Sequence, residues 1–168
     1  VHQVRYQCAT PAQESAHDVE KFLVTNSLPS TSRSLPIALI RAREGVMAPI
    51  REMLTETGIT EQQWRVLRVL AEFGPLDASS LAGQASLLFP SLTRIANTMR
   101  KKGLITQTHD EADRRRRLIA ITEAGQKIID DNSEQAARIA ADFRATLGDT
   151  QFEQLLDLLS QLYPRNRV

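Results

Sequence analysis

A chain of 168 residues with a formal net charge of +1 has room for one folded domain with extensions and is not generically polybasic. Any binding of nucleic acid must therefore come from a local basic patch. A single cysteine, Cys8, excludes an intrachain disulfide. No run is long and apolar enough to span a bilayer, and no basic-then-apolar signal opens the chain, so the expectation is a cytoplasmic protein without a membrane partner.

Residues 1–34 read as a flexible arm. VHQVRYQCATPAQESAHDV has no sustained period, and Leu28 to Ser34 is a polar linker. EKFLV, Glu20 to Val24, is its apolar patch, and could dock on a partner subunit. Leu35 to Thr57 reads as the first helix, with Ile40, Met47, Ile50 and Leu54 on one face. Gly45 and Pro49 interrupt it, which predicts a bend or break there.

Thr60 to Phe73 carries the clearest local punctuation. Thr60 and Gln63 make a capping box, and Ile59 and Trp64 stand at the hydrophobic-staple positions. Trp64, Leu67 and Leu70, flanked by Val66 and Phe73, form a core face, with Arg65, Arg68 and Glu72 on a polar stripe. Gly74 and Pro75 end the helix. Asp77 caps a short helix, Ala78 to about Gln84, buried through Leu81, and a turn leads to Pro90 in the first turn of the next helix.

That next helix, Pro90 to Lys102, has Leu92, Ile95, Ala96 and Met99 at helical spacing as a buried stripe. Ser91, Thr93, Arg94, Asn97, Thr98 and Lys101 lie opposite, a short, polar, partly basic face without a carboxylate. Such a face suits the major groove of DNA, where Arg94 could fork onto guanine and Asn97 pair with adenine. The plain alternative is a solvated surface helix. Gly103 stops the helix as its C′ residue. Two strand-like runs follow, Leu104 to Thr108 and Arg117 to Ile121, joined by a charged turn, Asp110 to Arg116. Its arginines Arg114, Arg115 and Arg116 are placed to reach an adjacent minor groove, unless they only keep the turn soluble. Asp113 either holds Arg115 or Arg116 by a charge-assisted hydrogen bond or serves plain turn chemistry. Short helix, reading helix and basic-tipped hairpin together are the pattern of a winged helix-turn-helix.

Thr122 caps a long helix to about Leu147, with Ile128, Ile129, Ala136, Ile139, Ala140 and Phe143 on its apolar side. Gly148 ends it, and Asp149 is expected to cap a last helix running to Pro164 through Leu155, Leu156, Leu158, Leu159 and Leu162. This leucine density exceeds what one packed face needs, which predicts a homodimer built from the first helix and the last two. The alternative is packing within one subunit.

These residues and their order resemble the MarR family of transcriptional regulators. The likeness runs from Leu35 to about Pro164. The wing carries Asp110, Asp113, Arg115 and Arg116, then Ile121, Thr122 and Gly125. LPIALIRARE, ITEQQWRVLRVL and FPSLTRI are similar to the subgroup that regulates homoprotocatechuate degradation operons. Where that subgroup has an Arg-Pro pair, this chain has Arg51 and Glu52, with the proline at Pro49. The resemblance implies a mainly α fold with a small β-hairpin wing, in which residues 35–57 and 123–164 dimerise and residues 60–122 bind DNA. It implies a pseudopalindromic operator of double-stranded DNA, repression, and release by a small aromatic acid effector from a pocket between the dimer helices and the reading lobe. For the effector carboxylate, Arg43 and Arg51 on the first helix and Trp64 and Arg68 on the second are the candidates. The alternative for the arginines is ion pairing with Glu44 and Glu52.

Catalysis has little support in the sequence. His2, His17 and His109 lack metal-ligand spacing, and no phosphate loop or nucleophile elbow occurs, so no catalytic residue, metal or cofactor is expected. Two other readings are redox sensing through Cys8, as in some relatives of the family, and a winged-helix module that binds only protein. The second leaves the arginines at 114–117 without a task.

Overall fold

The computed structural model describes residues 30–109 and 117–163. Cys8, the Glu20 to Val24 patch and the wing tip with Asp110, Asp113, Arg114, Arg115 and Arg116 lie outside the described residues. Six α-helices and three strands occur among those described. They are α1 Leu35–Met53, α2 Glu61–Phe73, β1 Leu76–Asp77, α3 Ala78–Gln84, α4 Phe89–Lys101, β2 Ile105–His109, β3 Arg117–Ile121, α5 Glu123–Leu147 and α6 Asp149–Leu162. The fold is the expected one, mainly helical with a small antiparallel sheet.

The chain divides between Arg41 and Ala42. On the N-terminal side, a 3-10 turn at Thr31–Arg33 replaces the end of the expected linker and leads into α1. Leu35, Leu39 and Ile40 are exposed.

From Ala42 onward, each element starts and stops at an identifiable residue. The helical conformation of α1 runs through Pro49 to Met53, so no break occurs, and a 3-10 turn at Thr55–Thr57 takes the place of its expected last turn. The proline deprives the Gly45 carbonyl of its N–H partner, but Gly45 is exposed, which leaves that oxygen open to solvent. The capping box forms at α2: the Thr60 hydroxyl accepts from Gln63 N at 3.3 Å, and Gln63 Oε1 accepts from Thr60 N at 3.1 Å. Gln63 is buried, and this pairing satisfies its Oε1 and its backbone N–H. Phe73, expected beside the core face, is 51% exposed, because the helix end carries it past the packed surface.

The core is gathered from α2, α3, α4 and the sheet. Val66, Leu67, Leu81 and Met99 are fully shielded at 0% exposure, and Leu70 and Leu92 nearly so. Strand order is β1-β3-β2, all antiparallel, with Ile105 opposite Ile121, His109 opposite Arg117, and Leu76 opposite Ile119. The first strand was not legible in the sequence. It is two residues long, follows Gly74-Pro75, and exists through its pairing with β3.

The long helix starts where expected, with the Thr122 hydroxyl accepting from Gly125 N. Thr122 also donates to the Gly103 carbonyl at 2.6 Å, tying the end of the reading helix to the start of α5. At Gly125 a Cβ would stand 2.2 Å from the Leu104 carbonyl oxygen, so only glycine admits this approach. Ile128, Ile129, Ala136 and Ile139 pack half-buried against the core, whereas Ala140 is exposed. The last helix begins one residue earlier than expected. Gly148 occupies the N-cap, and Asp149 becomes the first helical residue, accepting from Arg144 at 3.2 Å. Arg144 also lies over the Phe152 ring at 4.5 Å. No residue of α6 is buried, and Leu155, Leu156, Leu158, Leu159 and Leu162 are all exposed.

Candidate nucleic-acid interface

Helix α4, the candidate reading helix, is prepared locally. Asp77 Oδ1 accepts from Ser79 N and Ser80 N, both at 3.0 Å, and so fixes the start of α3. The turn after α3 carries Ser86 at φ 49, a left-handed conformation. Arg65 on α2 spans that turn, donating through Nη1 to the carbonyls of Ala85 at 3.1 Å and Ser86 at 3.5 Å. Pro90 stands in the first turn of α4, where its missing N–H costs little. The far end closes in a Schellman motif, with Leu104 N bonded to Met99 O and Gly103 N to Arg100 O, both at 3.0 Å. Lys102 then clamps this end, donating to the Gly58 carbonyl at 2.6 Å.

With both ends held, Leu92, Ile95 and Met99 are buried, and Ala96 is half-buried beside them. Thr93, Arg94, Asn97, Thr98 and Lys101 are exposed on the other side, and Ser91 is half-buried. No carboxylate interrupts this surface of α4. The hydroxyls of Thr93 and Thr98 donate to the carbonyls of Phe89 and Arg94, at 3.0 and 3.1 Å. Their outward lone pairs therefore face solvent as acceptors, complementary to the amino groups of cytosine and adenine.

A residue that the sequence reading passed over organises the next layer. Arg100 donates to Gln107 Oε1 on β2 at 3.3 Å and lies 3.5 Å from Asn97 Oδ1. It thus couples the reading helix to the wing and leaves the Asn97 amide nitrogen as the outward donor. Only the hairpin brings Gln107 beside α4, so nothing local in the sequence marks the pair. Between helix and wing base runs a groove of about 390 Å³, with Leu92, Ala96, Ile105 and Ile119 as walls and Arg100 and Arg117 as cations.

The residues considered for an aromatic carboxylate fall into separate settings. Arg43 and Arg51 converge on Glu61, the first residue of α2. Arg43 forms a close ion pair with it, and Arg51 donates at 3.1 Å while reaching Glu44 at 2.9 Å. The arginines pair with Glu44 and Glu61, therefore, rather than with Glu44 and Glu52. The Arg51 pKa is raised above its ordinary value, chiefly by the hydrogen bond to Glu61 with Glu44 adding to it, so this guanidinium stays charged at any working pH. Trp64 is 6% exposed within the core, and Arg68 is exposed one turn further on. None of the four lines the groove beside α4 or a second groove of about 660 Å³ between the end of α1 and α5. That second groove carries Glu52, Glu56 and Asp131, a charge unsuited to a carboxylate. Among the described residues no cluster of His, Cys, Asp and Glu could hold a metal ion, and no helix is long and apolar enough to cross a membrane.

Comparison with known proteins agrees with this geometry. The MarR family model matches residues 59–116, from the staple of α2 to the wing. The HTH-type transcriptional regulator FarR of Neisseria gonorrhoeae is 38% identical over 80% of this chain and 94% of its own length. The homoprotocatechuate degradative operon repressor of Escherichia coli is 35% identical over 76% of this chain and 86% of its own. Among solved structures, NadR in complex with 4-hydroxyphenylacetate superposes with a TM-score of 0.71 at 36% identity, covering 84% of this chain and 99% of NadR. With a carboxylate-free helix braced at both ends and joined to a hairpin, and with these relatives, the chain belongs to the MarR family of DNA-binding transcriptional regulators and not to an enzyme family.

Proposed function

We propose that the chain acts in the cytoplasm as a homodimeric repressor of an aromatic-acid catabolic operon, relieved by a small aromatic carboxylate. The observation that carries the reading is the exposed row Thr93, Arg94, Asn97, Thr98 and Lys101 on a helix whose opposite face is fixed in the core. Two such helices, one per subunit, would enter successive major grooves about 34 Å apart, which calls for a pseudopalindromic site. The wing arginines Arg114, Arg115 and Arg116 would reach the flanking minor grooves. Residues 60–122 form the DNA-binding part in this reading, and residues 35–57 and 123–164 the dimerising part, with 1–34 as an arm. The exposed leucines of α6 support dimerisation, because a monomer would leave them in water.

Two relatives support the effector class, one a repressor of a homoprotocatechuate operon and the other bound to 4-hydroxyphenylacetate. Arg43, Arg51, Trp64 and Arg68 remain the proposed contacts. Arg43 and Arg51 already hold the carboxylate of Glu61, so an effector carboxylate reaching them has to displace that side chain. A ligand loosens DNA only by preferring a state with a different spacing of the reading helices, and α1 and α2 join the proposed dimer base to the reading lobe. The test is a mobility shift on DNA from upstream of its own gene, repeated with hydroxylated phenylacetates, benzoates and cinnamates. A retarded complex released by one of these acids is expected. A complex that none of them releases would refute the effector class while leaving DNA binding intact.

A further inference from the structure

The reading helix opens on apolar residues that the core does not use. Leu88, Phe89 and Pro90 are consecutive and exposed, and Leu88, at 78%, exceeds every other large hydrophobic side chain among the described residues. In the sequence, Leu88 stands four residues before Leu92 and so continues the buried stripe Leu92, Ile95, Met99. The structure takes it out of that stripe, because as N-cap it has an extended backbone, φ −68 and ψ 139. It also gives the cap no side-chain hydrogen bond, the service that Thr60, Asp77 and Thr122 perform for their helices. A serine or aspartate there would stabilise the helix, so the leucine serves neither capping nor core.

Phe89 is 53% exposed and stands one turn before Thr93, whose hydroxyl is bonded to the Phe89 carbonyl. Phe89, Thr93 and Asn97 follow at intervals of four and share the groove between α4 and the wing. Phe89 thus begins the ridge that carries the polar residues of α4, and Leu88 stands exposed immediately before it. N-terminal residues of a recognition helix are those that meet base edges, and the one apolar group that a base pair shows in the major groove is the C5-methyl of thymine. We propose that Leu88 and Phe89 form an apolar clip that reads thymine methyl groups, making the operator preference depend on thymine beside the bases met by Thr93 and Asn97. The inference rests on the DNA-reading role of α4.

The test leaves the protein untouched in its first arm. The full chain selects its preferred duplex from random sequence, and each thymine of that duplex is then replaced in turn by deoxyuridine, which removes only the methyl. At one or two positions in each half-site, affinity should fall about four-fold per lost methyl contact. In the second arm, Leu88→Ala and Phe89→Ala, both at exposed positions, should bind the thymine duplex more weakly and lose the discrimination between thymine and uracil at those positions. Equal affinity of the parent for thymine and uracil at every position overturns the clip, and so does full discrimination retained by both variants. Failure to select any sequence would overturn the DNA reading itself, an outcome distinct from selecting a site that ignores methyl groups.

Discussion

Replacing Gly125 by Ala tests how the reading head is joined to the long helix. The added methyl would stand 2.2 Å from the Leu104 carbonyl oxygen, 2.9 Å from Ile121 Cγ1 and 3.1 Å from Leu67 Cδ2. The first neighbour is backbone, held by the Schellman motif behind it and by Thr122 N at 3.1 Å, so it cannot swing aside as a side chain would. The start of α5 must move by close to 1 Å. That movement pulls on the Thr122 bonds to Leu104 and Gly103, each contributing about 0.5–1.5 kcal/mol. Overpacking of a filled core adds about 1–3 kcal/mol, while the better helix propensity of alanine returns about 1 kcal/mol. The net expectation is a loss of about 2–4 kcal/mol, which for a chain of this size lowers Tm by roughly 4–16 °C. Gly83→Ala is the control. Gly83 is also helical, but a Cβ there meets nothing within 4 Å, so the same substitution should be neutral or stabilising by up to about 1 kcal/mol. Urea melts of parent and both variants at one protomer concentration measure the difference, since the proposed dimer would make stability concentration-dependent. If Gly125→Ala loses less than about 1 kcal/mol relative to Gly83→Ala, the close approach is not a constraint and the reasoning fails.

Arg65→Ala removes the brace across the Ala85-Ser86 turn and should weaken DNA binding several-fold with the salt slope unchanged, because Arg65 positions the helix without neutralising phosphate; a reduced slope would make it a direct contact. Arg115→Ala, in the proposed wing tip, should instead cost about 1–3 kcal/mol of binding and lower the salt slope by about one, and an unchanged salt titration would remove it from the interface. Leu156→Asp or Leu159→Asp places a carboxylate in the proposed seam and should give monomer or aggregate by sedimentation with loss of DNA binding, whereas normal dimers would show the leucines to lie outside the seam. Glu61→Gln frees Arg43 and Arg51 from their shared carboxylate and should tighten binding of the aromatic acid by calorimetry; an unchanged isotherm would separate these arginines from the effector pocket.

Features that depend on neighbours within one helical turn were legible in the sequence. The capping box of Thr60 and Gln63, the caps at Asp77 and Thr122 and the C′ glycine at 103 each join groups two to four residues apart, so the local spacing specifies them. The stripe Leu92, Ile95, Met99 and the polar face opposite it follow from helical periodicity in the same way, and with them the reading face of α4. Other features were decided only when distant segments met. Leu88 stands four residues before Leu92, but the backbone at the helix start turns it outward. The strand β1 is too short to show a period and is defined by its partner β3. Arg65 meets the turn 20 residues ahead, and Lys102 meets the Gly58 carbonyl 44 residues back. Glu61 gathers Arg43 and Arg51 across the α1–α2 connection, in place of the nearer Glu52. Each of these contacts depends on how the elements pack, and a side chain long enough to reach several carbonyls or carboxylates carries no mark in the sequence of which one it will find.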